Sequence, residues 1–365
     1  MTLLILSILF IFPVVAIAGY HHYKISQQPD YNPNKTPLNY EIIGSGENKL
    51  VLLHGLTGSL NYWKRNLESI SKTHSLLLID LLGFGESPKP RSDYSISVQL
   101  QALELVLNKE GFNDGKTTIA GHSMGAIISL ALLEKQPTWF NASIFIGIPV
   151  YKDANEFKKV MSTHSFVDRI SASKFSKYVC MIHPIFMSRA FKPDNLTDEV
   201  YEDAKKHHWM SYYYSLTEVI LKTDLYAMAR KIKDKDVLFI HGEKDTTAPL
   251  ENALKLSREF KNVHFITSSE GDHQFFLKEA EFVWKVIQDF TISEIRLQKK
   301  NYDSSCVWTD INRYQNKVTL LDIFRHASQF LLLRCFQDCE DLWVFFCEIF
   351  GKAGDLRTCV YQRRS

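Results

Sequence analysis

Short, mostly apolar runs recur along the chain, each closed by small or polar residues: 50–53, 76–79, 117–120, 142–148, 237–240 and 263–266. Runs of this kind predict strands buried on both faces, as in a parallel sheet covered by helices. Between them the spacing changes to that of helices. Residues 93–110 put Ile96, Leu100, Leu103 and Val106 on one face, and Ala126 to Leu133 form a second apolar run of helical length. The alternation predicts an α/β domain with a mostly parallel, doubly wound sheet.

The pattern breaks after Pro149. From residue 150 to about 232 no strand run is visible, and aromatic residues and lysines dominate, Phe166, Phe175, Tyr178, Phe186, Phe191, Trp209 and Tyr212 among them. The core is therefore expected in two halves, 38–149 and 233–291, with a helical insertion between them. Its aromatics are expected to build the insertion's own small core and to offer an apolar surface to a ligand.

Both ends differ from this body. Thr2 to Gly19 is almost wholly apolar, with Pro13 inside it, and Tyr20, Tyr23 and Lys24 follow. About 18 apolar residues is the short end of what spans a bilayer. Residues 1–24 are read as a membrane anchor with an interfacial aromatic belt, followed by a polar linker, 25–37. The rival is an exported protein whose signal segment is cut near Ala18. No cationic residue precedes the apolar core, which favours the anchor, and Lys24 beyond it points to a cytoplasmic body. Residues 292–365 hold five of the six cysteines, Cys306, Cys335, Cys339, Cys347 and Cys359. Cys335 and Cys339 stand four apart on a helical stretch, which suits neither a zinc knuckle nor an easy disulfide. This tail is read as a helical appendage, with membrane contact or dimerisation as alternatives.

Composition narrows the classes. An apolar content of 45% in 365 residues suits a globular body. A formal charge of +2, with no basic patch interleaved with aromatics, argues against nucleic-acid binding. There is no GxGxxG or P-loop, no internal repeat, and no residue cluster at metal-ligand spacing. No metal or cofactor is expected, and nothing in the pattern selects an oligomeric state.

The chemistry lies at the ends of the predicted strands. Gly121-His122-Ser123-Met124-Gly125 falls between the run at 117–120 and the helix that follows. A serine on so sharp a turn has its hydroxyl pushed clear of the backbone, and the helix N-terminus beneath it favours developing negative charge. Gly121 and Gly125 are read as small because strand and helix approach closely there. Serine is a weak nucleophile, so it needs a base, and the base an orienting acid. Asp245 follows the strand at 237–240, and His273 follows the strand at 263–266. Asp153 is the rival acid. His241 and His264 lie inside strands and are read as core or edge residues, Asp272 as pointing away from the site, and His207-His208 as a solvated helix face. The glycine-rich turn His54-Gly55-Leu56-Thr57-Gly58 can aim a backbone N–H at a carbonyl oxygen. The two oxyanion donors are assigned to the backbone N–H groups of Leu56 and Met124.

Taken together, His54-Gly55-Leu56, the run Asp80 to Ser87, the serine turn, Gly242 to Pro249 and Gly271 to His273 resemble the α/β-hydrolase superfamily of esterases, lipases and related enzymes. The resemblance covers about residues 40 to 290. It implies an α/β-hydrolase fold with a helical cap at 150–232 that shields the nucleophile and shapes the cleft. It also implies that Asp80 shapes its own glycine-rich loop rather than serving as the acid. The function expected is hydrolysis of an apolar carboxylic ester through an acyl-enzyme, with Ser123 as nucleophile, His273 as base and Asp245 as acid. An acyltransferase or a carbon–carbon bond hydrolase would use the same three residues. A non-catalytic interaction protein on the same fold is the remaining alternative.

Overall fold

In the computed structural model, residues 16–17, 19–164, 169, 173, 192 and 196–292 are described. All of them belong to the unit Met1–Asn301. Most of the apolar segment read as an anchor, Cys180 with its neighbours in the insertion, and the cysteine-rich tail lie outside these residues. Among the described residues no helix is long and apolar enough to cross a membrane.

Seven strands form one sheet in the order β1-β3-β2-β4-β5-β6-β7. They are β1 (Tyr40–Ile43), β2 (Asn48–Leu53), β3 (His74–Ile79), β4 (Thr117–His122), β5 (Phe140–Ile146), β6 (Asp236–Gly242) and β7 (Asn262–Ser268). β1 runs antiparallel to β3, and every other pairing is parallel. Alternate residues of a strand point to opposite faces, and the sheet uses both. Val51, Leu53, Leu77, Ile79, Ile119 and Phe239 join one apolar cluster. Their neighbours Leu50, Leu52, Leu76, Leu78, Ala120 and Leu238 join another on the far side. Two buried faces explain why these strands read as continuous apolar runs rather than alternating ones.

One cluster is covered by α1 (Ile96–Glu110) and α2 (Met124–Lys135), the other by α8 (Ala280–Thr291) with Trp284 and Phe290. α1 stops at Gly111, whose left-handed backbone (φ 69°) sends its N–H back to the Leu107 carbonyl. α2 is buried from Met124 through Leu133, so it is apolar all round. β5 ends two residues before the expected Ile148. Gly147 takes φ 53° there, and its N–H goes to Ile240 of β6.

The described part of the insertion holds α3 (Ala154–Met161), α4 (Asp198–Ala204), α5 (Trp209–Tyr214), a π-helical stretch (Ser215–Leu221) and α6 (Leu225–Lys231). No strand occurs among its described residues. α7 (Leu250–Ser257) follows β6. The segment read as a polar linker is pinned to the body. Ile25 is buried, Tyr31 N–H donates to the Arg91 carbonyl, Arg91 N–H donates to Pro29, and Arg91 pairs with Asp30 at 2.8 Å. Ahead of it, His22 stacks on Trp209 of α5 with ring centres 5.9 Å apart.

Candidate active site

β4 ends at His122 and α2 begins at Met124, so the whole turn is Ser123. Its backbone stands at φ 53°, ψ −119°. Such a conformation costs a non-glycine residue about 1–3 kcal/mol, and it persists where the surroundings over-determine it. Here Ser123 N–H donates to the Ile146 carbonyl at 2.9 Å, and its own carbonyl accepts from Ala126 N–H at 2.9 Å. A side chain on Gly121 would collide with the backbone of Gly125, and one on Gly125 with the carbonyl oxygens of Leu53 and His54. The close approach anticipated for these two glycines is present.

Three strand ends bring the chemistry together. Asp245 sits three residues past β6 and His273 five residues past β7. The Ser123 hydroxyl lies 3.0 Å from His273 Nε2, and His273 Nδ1 lies 2.8 Å from Asp245 Oδ2. The carboxylate can only accept, so Nδ1 carries the proton and the Nε2 lone pair faces the serine. The other Asp245 oxygen accepts from the N–H groups of Thr247 (2.9 Å) and Ala248 (2.7 Å). Burial alone would pull the His273 pKa down. The Asp245 charge and hydrogen bond outweigh it, and the net shift is upward. Burial pushes Asp245 the other way, yet His273 and the amide donors leave its pKa lowered.

The other candidates lie elsewhere. Asp153 is exposed and caps α3, accepting from Asn155 and Glu156 N–H. Asp272 pairs with Lys278. Asp80 accepts from Leu60 N–H, Asn39 Nδ2 and Glu86 N–H, which ties its own glycine-rich loop to the first turn. His241 is buried in β6 and donates from Nε2 to the Ala248 carbonyl. His207 and His208 are not a solvated face. His207 is buried, and His208 caps α5 while its Nε2 reaches the Lys89 carbonyl at 3.1 Å. The insertion folds back over the core there, and His208 is half-buried against Lys89 and Tyr94.

The first glycine-rich turn is held by His54, which is fully buried and kept neutral by that burial. Its Nε2 accepts Leu81 N–H at 3.0 Å, so Nδ1 carries the proton and donates to the Gly55 carbonyl at 2.7 Å. Gly58 N–H binds the same carbonyl. In a trans peptide the C=O and the next N–H point oppositely. Fixing Gly55 C=O against His54 therefore turns Leu56 N–H away from it, and Leu56 itself lines the cavity. Among the described residues neither Leu56 N–H nor Met124 N–H is spent on another hydrogen bond.

A cavity of about 320 Å³ opens above Ser123. Its floor is Gly55, Leu56, Ser123 and His273; its roof includes Tyr151, Phe157, Met161, Val200, Tyr212 and Leu216. Phe157, Met161 and Leu216 also form an apolar cluster of the insertion. Of the aromatics expected there, Tyr212 both lines the cavity and packs against that cluster. Roof and floor are fastened by a buried carboxylate that the sequence reading passed over. Asp203 of α4 accepts from Ser59 Oγ (2.5 Å) and Asn61 Nδ2 (2.7 Å), and Lys206 neutralises it. Among the described residues no group of three or more His, Cys, Asp or Glu is placed to hold a metal ion.

Comparison with known proteins follows the same lines. A family model described as alpha/beta hydrolase fold matches residues 48–280. A probable lysophospholipase, BODYGUARD 1 of Arabidopsis thaliana, is 23% identical over 279 residues, covering 66% of this chain and 59% of its own length. The chain thus spans under two thirds of that relative. The 1-acylglycerol-3-phosphate O-acyltransferase ABHD5 of Rattus norvegicus is 34% identical over 114 residues, 30% of this chain and 32% of its own. Among solved structures, an esterase from Exiguobacterium antarcticum superposes with a TM-score of 0.57 at 20% identity, covering 71% of this chain and 97% of its own. The enol-lactonase of Burkholderia xenovorans does so at 0.55 and 19%, covering 72% and 98%. At these identities the structural likeness speaks for the fold. With the family model spanning well over half its length, the chain belongs to the alpha/beta hydrolase fold family.

Proposed function

We propose that the protein is a serine hydrolase that cleaves apolar carboxylic esters through an acyl-enzyme. The observation that carries this reading is the unbroken series from Ser123 Oγ to His273 Nε2, and from His273 Nδ1 to Asp245, beneath an apolar cavity. Ser123 attacks the acyl carbon as His273 takes its proton, and Leu56 and Met124 N–H hold the oxyanion. His273 returns the proton to the leaving alcohol. Water, deprotonated by the same ring, then releases the acid and frees the serine. Asp245 keeps His273 in the tautomer this needs and balances its charge when protonated. The roof keeps bulk water off the acyl-enzyme.

A second reading has support in the relative named as an acyltransferase. There the acyl group passes from Ser123 to an alcohol instead of water. A panel of acyl esters of graded chain length, with products identified in the presence and absence of added lysophospholipid or glycerol acceptors, separates the two. Free acid as the only acyl product supports the hydrolase. Acyl transfer at the expense of free acid supports the transferase. No Ser123-dependent turnover of any ester would refute both. The apolar residues 2–19 are proposed to anchor the protein in a membrane, which fractionation and N-terminal mass spectrometry of the mature protein test.

A further inference from the structure

His122 is the last residue of β4 and the neighbour of Ser123 in sequence. It is 2% exposed, and its Nε2 lies 2.8 Å from the carbonyl oxygen of His273, 151 residues away. A carbonyl only accepts, so Nε2 carries the proton and Nδ1 does not. The ring is fixed from both sides. Tyr62 stacks on it at 4.7 Å and 18°, Phe276 backs Tyr62 at 5.2 Å, and the His273 ring stands 4.9 Å away.

The state of the His273 backbone gives this bond its weight. His273 lies on a connection between β7 and α8, outside any strand or helix. Its side chain is held at Nδ1 and Nε2 by Asp245 and Ser123. Among the described residues, the bond from His122 is the one hydrogen bond its backbone makes. Everything else that fixes the loop at this point belongs to its neighbours, such as Phe275 N–H to Asp272 O and Gln274 N–H to Asp272 Oδ1.

We infer that His122 is a positioning residue for the reaction: by donating from Nε2 to the His273 carbonyl, it sets the height at which the base stands over Ser123. The inference rests on the serine-hydrolase reading of the site. It makes the serine turn do two things. The turn presents the nucleophile, and through the preceding side chain it grips the loop that carries the base. The charged and titratable groups facing His122 are His273, Asp245, His54 and the stacked Tyr62, whose phenol is kept neutral by burial. Burial first, then the neighbouring His273, push the His122 pKa down to about 3. The ring therefore stays neutral, and the bond unchanged, while His273 itself titrates.

Two substitutions separate a donor role from packing. His122→Phe keeps a flat ring in the stack and loses the donor. His122→Gln loses the ring and keeps an N–H at the distance of Nε2. Both would be compared with the wild type on one short-chain ester, with melting temperature measured alongside. The expected result is a kcat about 10- to 100-fold lower for His122→Phe with KM little changed, since small misplacements of a catalytic group cost that much. His122→Gln should recover most of kcat. A His122→Phe protein with wild-type kcat overturns the inference. So does a folded His122→Gln protein that has lost kcat, and this second outcome decides even where the Phe variant fails to fold. Ser123→Ala run in parallel isolates the premise. Ester turnover that survives it refutes the serine-hydrolase reading, whatever the His122 variants do.

Discussion

The floor of the cavity is made of strand ends, and its described roof of helices six to eight residues long. Ser123, Asp245 and His273 each follow a strand of the same sheet, so the register of β4, β6 and β7 sets their separations. The roof has no sheet to set its geometry. Its residues are held by a small apolar cluster, a π-helical stretch, and the Asp203 link to Ser59 and Asn61. Reacting atoms need placement to a fraction of an ångström, and a sheet supplies it. Selection among acyl groups needs a wall that can be recut, and short helices supply that. On this account, substitutions in the floor change the rate on every substrate, and substitutions in the roof change the ranking of substrates.

The largest effect tests the floor. Asp245→Asn should lower kcat by about 10⁴, by favouring the wrong tautomer of His273. Asp153→Asn should leave it within experimental error, because Asp153 is an exposed helix cap that asparagine can replace. Turnover of a single soluble ester measures both. A larger loss at Asp153 would move the acid to the end of β5.

A smaller effect tests the roof. Leu216 is buried, lines the cavity and packs with Phe157 and Met161. Leu216→Ala should change the ratio of kcat/KM between long- and short-chain esters by about tenfold, the scale on which apolar pockets discriminate. Rates measured over a chain-length series give the ratio. A uniform loss across the series would mean that roof and floor are not separable.

The smallest effect is a shift in pH dependence. His273 must be neutral to act as base, and Asp245 raises its pKa above the ordinary 6.5. The acid limb of kcat/KM should therefore lie above pH 6.5 and move lower in Asp245→Asn. The same shift has a sign in stability. A raised pKa means that the folded state holds the proton more tightly. At the acid end the ion pair is lost as Asp245 takes a proton. While Asp245 is ionised, the pair's contribution is complete below the unfolded histidine value and fades as pH rises through the folded one. Melting temperatures of wild type and Asp245→Asn should converge across that window.

The same contrast explains what the sequence disclosed. The ends of the central strands were legible because strands buried on both faces read as apolar runs, and the serine turn sits at the end of one. β7, the half-buried edge strand before His273, was legible from Val263, Phe265 and Ile266. β1 carried no such signal: Tyr40–Ile43 is a half-exposed edge strand of four residues. β5 was placed two residues late at each end, because Gly147 and Ile148 continue the apolar run after the left-handed glycine has ended the pairing. The roof was legible only as a lapse in pattern, since helices of six or seven residues hold less than two turns of periodicity. His208 read as solvated because its cover comes from distant residues, Tyr94 and the Lys89 carbonyl among them. Ser59 and Asn61, which donate to Asp203, and the His273 carbonyl, which accepts from His122, lie more than 140 residues away in the chain, and no local spacing announces them.

The central claim is that Ser123, alone among the serines, is activated by the His273–Asp245 pair. A fluorophosphonate reacts with such a serine and leaves a stable adduct whose position peptide mass spectrometry reads directly. One adduct per chain is predicted, on the peptide containing Ser123, absent in Ser123→Ala and strongly slowed in Asp245→Asn. An adduct on any other serine, or undiminished labelling of Ser123→Ala, would contradict the account.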